Sequence, residues 1–202
     1  MNDSKLTAKD CIDAGAALNP HWTARFREFA AWVLDRETVF QKGHYGDYQF
    51  AVCEKVSGDA GGLTKFGIDQ RSHPSTNIKD LNARQAVEIY WWKYWVKSGA
   101  GSFPWGYGEI LCDTKINGGD GPRLLQQGLQ DLGAELEVDG DIGEITVQAM
   151  RRYGRDGWEA FIKRRETRYR RLALTQSRSK FLAGWLDRMK LLRQYINQEV
   201  PF

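Results

Sequence analysis

Little in this sequence favours chemistry that depends on sulfur, metal or nucleotide. Its 202 residues hold three cysteines, Cys11, Cys53 and Cys112. An odd number at unrelated spacings, with no C-x-x-C pair, argues against a disulfide framework and for synthesis in a reducing compartment. His44 and His73 stand alone in loops, without a second His or Cys at ligand spacing, so no zinc site is expected. Asp139 and Asp141 open a D-x-D run, but the closing position of an EF-hand loop falls on Met150 rather than a Glu, which fails the EF-hand pattern and argues against calcium. No G-x-x-x-x-G-K-[ST] run cradles a phosphate, and no G-x-S-x-G elbow presents a serine nucleophile. No cofactor and no metal are therefore expected. Also missing are a run of apolar residues long enough to span a bilayer and an apolar core behind Met1-Asn2-Asp3-Ser4-Lys5. The expectation is a chain made in the cytoplasm without a signal peptide and without a membrane span.

What is present is ordinary in bulk and uneven in distribution. Apolar residues make up 42% and charged residues 27%, as in a globular domain with a proper core. The net charge of +3 hides an asymmetry. Residues 1–150 carry 15 Lys/Arg against 21 Asp/Glu, a balance of −6, whereas residues 151–193 carry 14 against 4, a balance of +10. A basic lobe suits an anionic polymer, an anionic membrane or an acidic cell wall; equally, it is a solvated face that balances the acidic part of the same molecule. The eight tryptophans suit core packing, with sugar stacking as the alternative for any one of them.

Hydrophobic periodicity places the main helix at about Thr23 to Arg36, with Thr23 as N-cap and positions 26, 29, 30, 33 and 34 on its buried face. Before it lies a polar arm, residues 1–20, with a short helix around Thr7 to Ala17. Past the main helix the chain turns polar and Gly-punctuated. Tyr48 to Val56 and Leu63 to Ile68 read as strands of a small antiparallel sheet set against that helix. Asp80 or Ser75 is a candidate cap for a helix carrying Ala83 to Val96. Further helices are expected over Glu109 to Ile116, Pro122 to Leu132, Trp158 to Leu174 and from Phe181 onward. The fold class is mainly α (α+β), with one small β-hairpin or sheet beside the main helix.

Glu37 stands three residues past Leu34, where the buried stripe gives way to loop. A carboxyl in such a place can be half shielded from water, and shielding favours the protonated form that a general acid needs. Downstream runs Asp59-Ala60-Gly61-Gly62-Leu63-Thr64-Lys65-Phe66-Gly67-Ile68, whose glycines permit tight turns and close approach of backbone to a ligand. Glu54 is the rival acid, on a strand candidate before the Gly pair. Asp59 and Asp69 compete as the second carboxylate, which either positions water or acts as nucleophile. Asp59 before Gly-Gly is equally at home closing an Asx-turn.

A Glu followed by D-x-G-G-x-T-x-[FY]-G-I resembles glycoside hydrolase family 108, the N-acetylmuramidases of phage endolysins and secretion activator proteins. The resemblance continues through Ala86, Ile89, Tyr90, Tyr94 and Trp95, then Asp113 with Asn117-Gly118-Gly119. It ends with a peptidoglycan-binding-like segment containing Asp139-Gly140-Asp141-Ile142-Gly143 and the F-x-x-G-W-x-x-R run Phe181 to Arg188. One departure stands out: the family's Glu-Gly-Gly-Tyr is replaced by Glu37-Thr38-Val39-Phe40, with a longer interval to Gly61. The resemblance implies a lysozyme-like catalytic segment over 21–105 and a helical peptidoglycan-binding-like segment over 106–202, packed as one compact unit. It implies cleavage of the β-1,4 bond after N-acetylmuramic acid in peptidoglycan, by a monomer that reaches the wall after holin-type or other release. Glu37 is then the acid, Asp59 its assistant and Thr64 the hydroxyl that holds water or a sugar oxygen. Gly62, Phe66, Gly67, Asp69 and Tyr90 are the substrate-binding candidates.

Two other readings stay open. A non-catalytic wall-binding or secretion-accessory protein would keep the fold without the activity, and the lost Glu-Gly-Gly-Tyr form favours it. A nucleic-acid module on basic residues 151–171 would bind DNA tightly and lose that affinity steeply with salt; no nucleic-acid partner is expected.

Overall fold

A computed structural model describes residues 5–55 and 62–198. The chain divides into two compact units, residues 1–95 and 96–202.

In the first unit, helix α1 (Ala8–Ala16) is closed at its start by a capping box between Thr7 and Asp10. Helix α2 (Ala24–Glu37) begins at Thr23, whose hydroxyl accepts from the Phe26 amide. Phe26, Phe29, Ala30, Val33 and Leu34 are all buried, as their spacing predicts. Phe26 sits among Trp22, Trp91 and Trp95 at ring separations of 5.8, 4.8 and 5.6 Å, and Phe29 packs on Trp95 at 5.4 Å. Such aromatic contacts add stabilisation beyond area burial alone. Five of the eight tryptophans, Trp22, Trp32, Trp91, Trp95 and Trp158, are buried, so core packing is the commoner role.

The expected strand from Tyr48 onward is not formed as such. Asp47 caps a single 3-10 turn, Tyr48–Phe50, by accepting from the Gln49 amide, and the Tyr48 amide is taken by the Leu6 carbonyl. With that amide diverted, pairing is left to a bridge between Phe40 and Ala51 and to strand β1 (Glu54–Lys55). Strand β1 pairs antiparallel with β2 (Leu63–Lys65), and β2 pairs with β3 (Ile68–Asp69). The expected strand Leu63 to Ile68 is therefore two strands around a two-residue turn. Phe66 and Gly67 have φ of 54° and 67°, the positive values at both central positions that a type I′ hairpin demands.

Helix α3 (Ala83–Ile89) is capped by Asn82 in a box with Gln85, rather than by Asp80 or Ser75. It continues as a π-helical stretch, Tyr90–Val96. The wider winding puts residues five apart on one face, and Tyr90 and Trp95 are each only 2% exposed.

The second unit is helical. Helix α4 (Tyr107–Ile116) is buried over most of its length. Helix α5 (Gly121–Asp131) starts at Asp120, with Pro122 in its first turn. A Cβ on Gly128 would lie 2.9 Å from the Ala160 carbonyl carbon, so this glycine lets two helix backbones meet. Helix α6 (Glu144–Leu172) begins earlier than the Trp158 that periodicity suggests. A non-helical residue inside it, Gly154 at φ 46°, divides the hydrophobic pattern into two short pieces. The short α7 (Gln176–Ser179) and α8 (Leu182–Ile196) complete the unit. The Asp139-Gly140-Asp141 turn links α5 to α6, as expected. Buried Gln126 clamps it, donating to the Asp139 carboxylate and the Asp141 carbonyl at 2.7 and 2.9 Å and accepting from the Gly140 amide at 2.8 Å. Mainly α with one small antiparallel sheet is the class observed.

Two features of the second unit tie distant sequence together. The Asp113 carboxylate accepts from Arg165 at 2.8 Å and from Arg188 at 2.7 Å, joining α4 to α6 and α8. Its backbone carbonyl accepts from the Asn117 side chain at 2.8 Å. The three cysteines are free thiols, with Cys11 and Cys112 buried. Among the described residues, no helix is long and apolar enough to cross a membrane, and no group of His, Cys, Asp and Glu could hold a metal ion.

Burial pushes the Asp113 carboxyl up, but Arg188 and Arg165 outweigh it and hold the group below the usual carboxylate range. Replacing Asp113 by Asn leaves the buried Arg165 and part-buried Arg188 guanidinium groups without that counter-charge and is expected to cost about 3–5 kcal/mol in a urea melt at neutral pH. Because the folded-state value is depressed, this stabilisation is fully present above the unfolded-state value of about pH 4 and lost as pH falls through the folded-state value. Acid unfolding of the wild type should carry this component, and that of Asp113→Asn should lack it.

Candidate active site

The site is built where α2 ends. Thr38 leaves the helix in an extended conformation (φ −96°, ψ 125°), and its hydroxyl donates back to the Leu34 carbonyl at 2.6 Å. Glu37 is therefore the last helical residue, half-buried. Facing it is the β2–β3 turn. A Cβ built on Gly67 would fall 2.6 Å from Glu37 Oε2 and 2.9 Å from Glu37 Cβ, well inside van der Waals contact. The carboxyl thus lies directly against turn backbone, in space that any side chain at position 67 would fill.

The turn is held from behind. Phe66 is 2% exposed despite its positive φ, and its carbonyl accepts from the buried Tyr90 hydroxyl. Backbone in this region is unfavourable for a residue with a bulky side chain, and it persists only where surroundings over-determine it. Here burial of the ring and the Tyr90 bond do so. Neither Phe66 nor Tyr90 presents its side chain openly to solvent. Lys65 and Phe66 line a groove of about 480 Å³ that also includes Tyr48, Leu81 and Arg84; Glu37 is not part of its lining.

Thr64 and Asp69 are direct cross-strand partners on β2 and β3, both half-buried. Asp69 closes a loop, accepting from the Ser72 amide at 2.8 Å. Burial pushes its carboxyl up, but the Ser72 bonds and nearby His73 outweigh this and hold it below the usual range. The same loop is tied by Gln70, which donates to the His73 and Thr76 carbonyls at 3.1 and 3.0 Å. His73 is buried with Nδ1 3.2 Å from the Asp69 carbonyl, and desolvation lowers its basicity. His44 stacks on Phe50 at 3.8 Å.

Glu54 is exposed on β1 and pairs across to Thr64. Gly62 has φ 82°, and among the described residues the Gln70 side chain alone would come near a Cβ there, at 3.6 Å. Asp59 lies outside the described residues. The structure thus brings Glu37, Gly67, Phe66 and Tyr90 into one contact chain, and Thr64 and Asp69 into one cross-strand pair. The part that periodicity missed is the turn itself. Its signal was Gly67 at the second central position of a two-residue loop, between residues of strand-forming type.

Comparison with known proteins bears on both units. Residues 51–119 match the family model described as glycosyl hydrolase 108, and residues 120–190 match that of a predicted peptidoglycan domain. The first match begins downstream of Glu37. Among solved structures, that of SagA from Brucella abortus is similar, with a TM-score of 0.64 and 22% identity. The similarity covers 85% of this chain and 93% of that one. At that identity the likeness is one of fold. No curated protein matches the chain significantly. Residues 51–190 are thus similar, without a gap, first to glycosyl hydrolase 108 and then to a predicted peptidoglycan domain, the same resemblance that the motifs over residues 59–188 carry.

Proposed function

We propose that the protein is an N-acetylmuramidase that cleaves the β-1,4 bond after N-acetylmuramic acid in peptidoglycan, with Glu37 as general acid. The observation that carries this reading is the contact between Glu37 and Gly67. It joins the end of α2 to the hairpin that holds the T-x-F-G-I part of the glycosyl hydrolase motif. A carboxyl anchored by a helix end and pressed against a glycine turn is held in one place, as a group that delivers a proton must be. Protonating that oxygen is the step for which an acid is needed, and the oxocarbenium-like centre that develops needs a second group on the sugar's other face.

For that second group we favour Asp59. Asp69 is already engaged by Ser72, which leaves less of its carboxylate for water or sugar. Thr64, on the same strand pair, is the proposed hydroxyl that holds the attacking water or a sugar oxygen. Gly62 and Gly67 supply backbone that a glycan can approach closely. Phe66 and Tyr90 act one step removed, by fixing the turn that faces Glu37. In this reading the protein acts as a monomer on the wall, after release from the cytoplasm by a holin-type or other route. The second unit either contributes glycan binding or completes the fold.

Turbidity clearing of purified peptidoglycan tests the acid. Glu37→Gln keeps the side chain's size and removes its proton, and a loss of roughly a hundredfold or more is expected. Reducing-end analysis of the products should show N-acetylmuramic acid. If Glu37→Gln still clears well, the exposed Glu54 becomes the acid to test; if the wild type clears no wall type, the non-catalytic wall-binding alternative replaces this proposal.

Gly67→Ala tests the positioning. Its Cβ collides with the carboxyl and its φ is unfavourable for alanine, so about 1–3 kcal/mol of stability should be lost. Displacement of the acid by an ångström or so should lower clearing roughly a hundredfold at temperatures where the variant remains folded. Clearing at the wild-type rate would show that the contact is not part of the machinery.

A further inference from the structure

One surface of the second unit has no place in the hydrolytic proposal. From Thr167 to Leu186 the chain carries Arg168, Arg170, Arg171, Arg178 and Lys180, and no Asp or Glu. These residues span the end of α6, all of α7 and the start of α8. On the same helices Arg165 and Arg188 pair with Asp113, Arg193 with Glu159 and Glu166, and Arg164 with Asp131. None of the five cations at this tip is in an ion pair among the described residues, and Arg170, Arg171, Arg178 and Lys180 are exposed.

Apolar side chains stand open among them. Leu174 is 84% exposed, the most of any large hydrophobic residue described, and Phe181 is 47% exposed. Lys180 Nζ lies 5.0 Å from the Phe181 ring centroid, and Phe181 continues through Trp185 at 5.8 Å to Tyr169 at a further 5.1 Å. The helix dipole accounts for Arg170 and Arg171 near the C-terminus of α6. It does not account for Arg178, Lys180 or the bare Leu174.

We propose that this tip is a docking surface for an anionic lipid bilayer. Charge complementarity draws four unpaired cations to lipid headgroups, while Leu174 and Phe181 enter the boundary between headgroup and acyl chain. The pairing of cation with open hydrophobe is what distinguishes this occupant from a polyanion such as nucleic acid, which offers the charges a partner but leaves Leu174 in water. The proposal stands apart from the hydrolytic one: no residue named here contributes to the site around Glu37.

The test is sedimentation of the full chain with vesicles of phosphatidylcholine alone and of equal parts phosphatidylcholine and phosphatidylglycerol. Binding should be at least about tenfold tighter to the anionic vesicles and should weaken as salt is added. The Trp185 emission should move to the blue on binding. Leu174→Ser combined with Phe181→Ser keeps every charge and should weaken binding about tenfold; Arg170→Gln combined with Arg171→Gln should weaken it by a similar factor. All four positions are exposed, so circular dichroism should show both variants folded. Equal affinity for the two kinds of vesicle overturns the proposal, as does a serine pair that binds like the wild type. Tight capture by DNA or heparin that the serine pair leaves intact, with weak vesicle binding, assigns the tip to polyanions instead.

Discussion

The candidate site depends on a side chain that is not there. Gly67 leaves room for the Glu37 carboxyl, and every neighbouring element is arranged around that space. Helix α2 delivers the glutamate at its final position because Thr38 turns out of the helix at once. The hairpin can bring its backbone so close only with both central residues at positive φ. Phe66 tolerates that conformation because its ring is buried and its carbonyl is held by Tyr90 from the π-helical stretch beyond α3. A helix end, a strained turn and a buried phenol are thus one mechanical assembly, in which each part limits the freedom of the next. Tyr90 and Phe66 matter here although neither is open to solvent.

How much of this could be read in advance depended on how local the cause was. The buried face of α2 was legible because five apolar residues recur at helical spacing, and all five are buried. The cap at Thr23 was legible for the same reason, as a side chain serving an amide three residues away. The fold class followed from these local signals and from the motif resemblance. The failures were non-local or divided. Tyr48 reads as strand, yet Leu6, forty-odd residues earlier in the sequence, takes its amide. Helix α6 reads as starting near Trp158 because Gly154 breaks the periodicity that would have revealed its first turns. Leu63 to Ile68 reads as one strand because alternation continues straight through the Phe66-Gly67 turn.

In the second unit the organising interaction is electrostatic. Asp113 belongs to one motif and Arg188 to another, seventy-five positions apart, and the sequence alone did not reveal that they meet. Together with Arg165 they pin α4, α6 and α8 to a common point. Residues that look like a functional signature, Asp113 and Asn117, turn out to serve the architecture: one pairs two arginines, and the other closes the helix end. The Gln126 clamp on the Asp139-Gly140-Asp141 turn is of the same kind, a polar side chain buried because it answers three backbone or carboxylate groups at once.

The thiols carry a consequence for where such a protein can work. Desolvation pushes Cys11 up to about 11 and raises Cys112 well above its ordinary value, so both are held as protonated, shielded groups. The thiolate is the species that oxidants and disulfides attack, and these two offer almost none of it. Packing and ion pairs hold the described fold without a sulfur bridge, so an oxidising compartment finds these two thiols shielded, and of the three it reaches only the part-exposed Cys53.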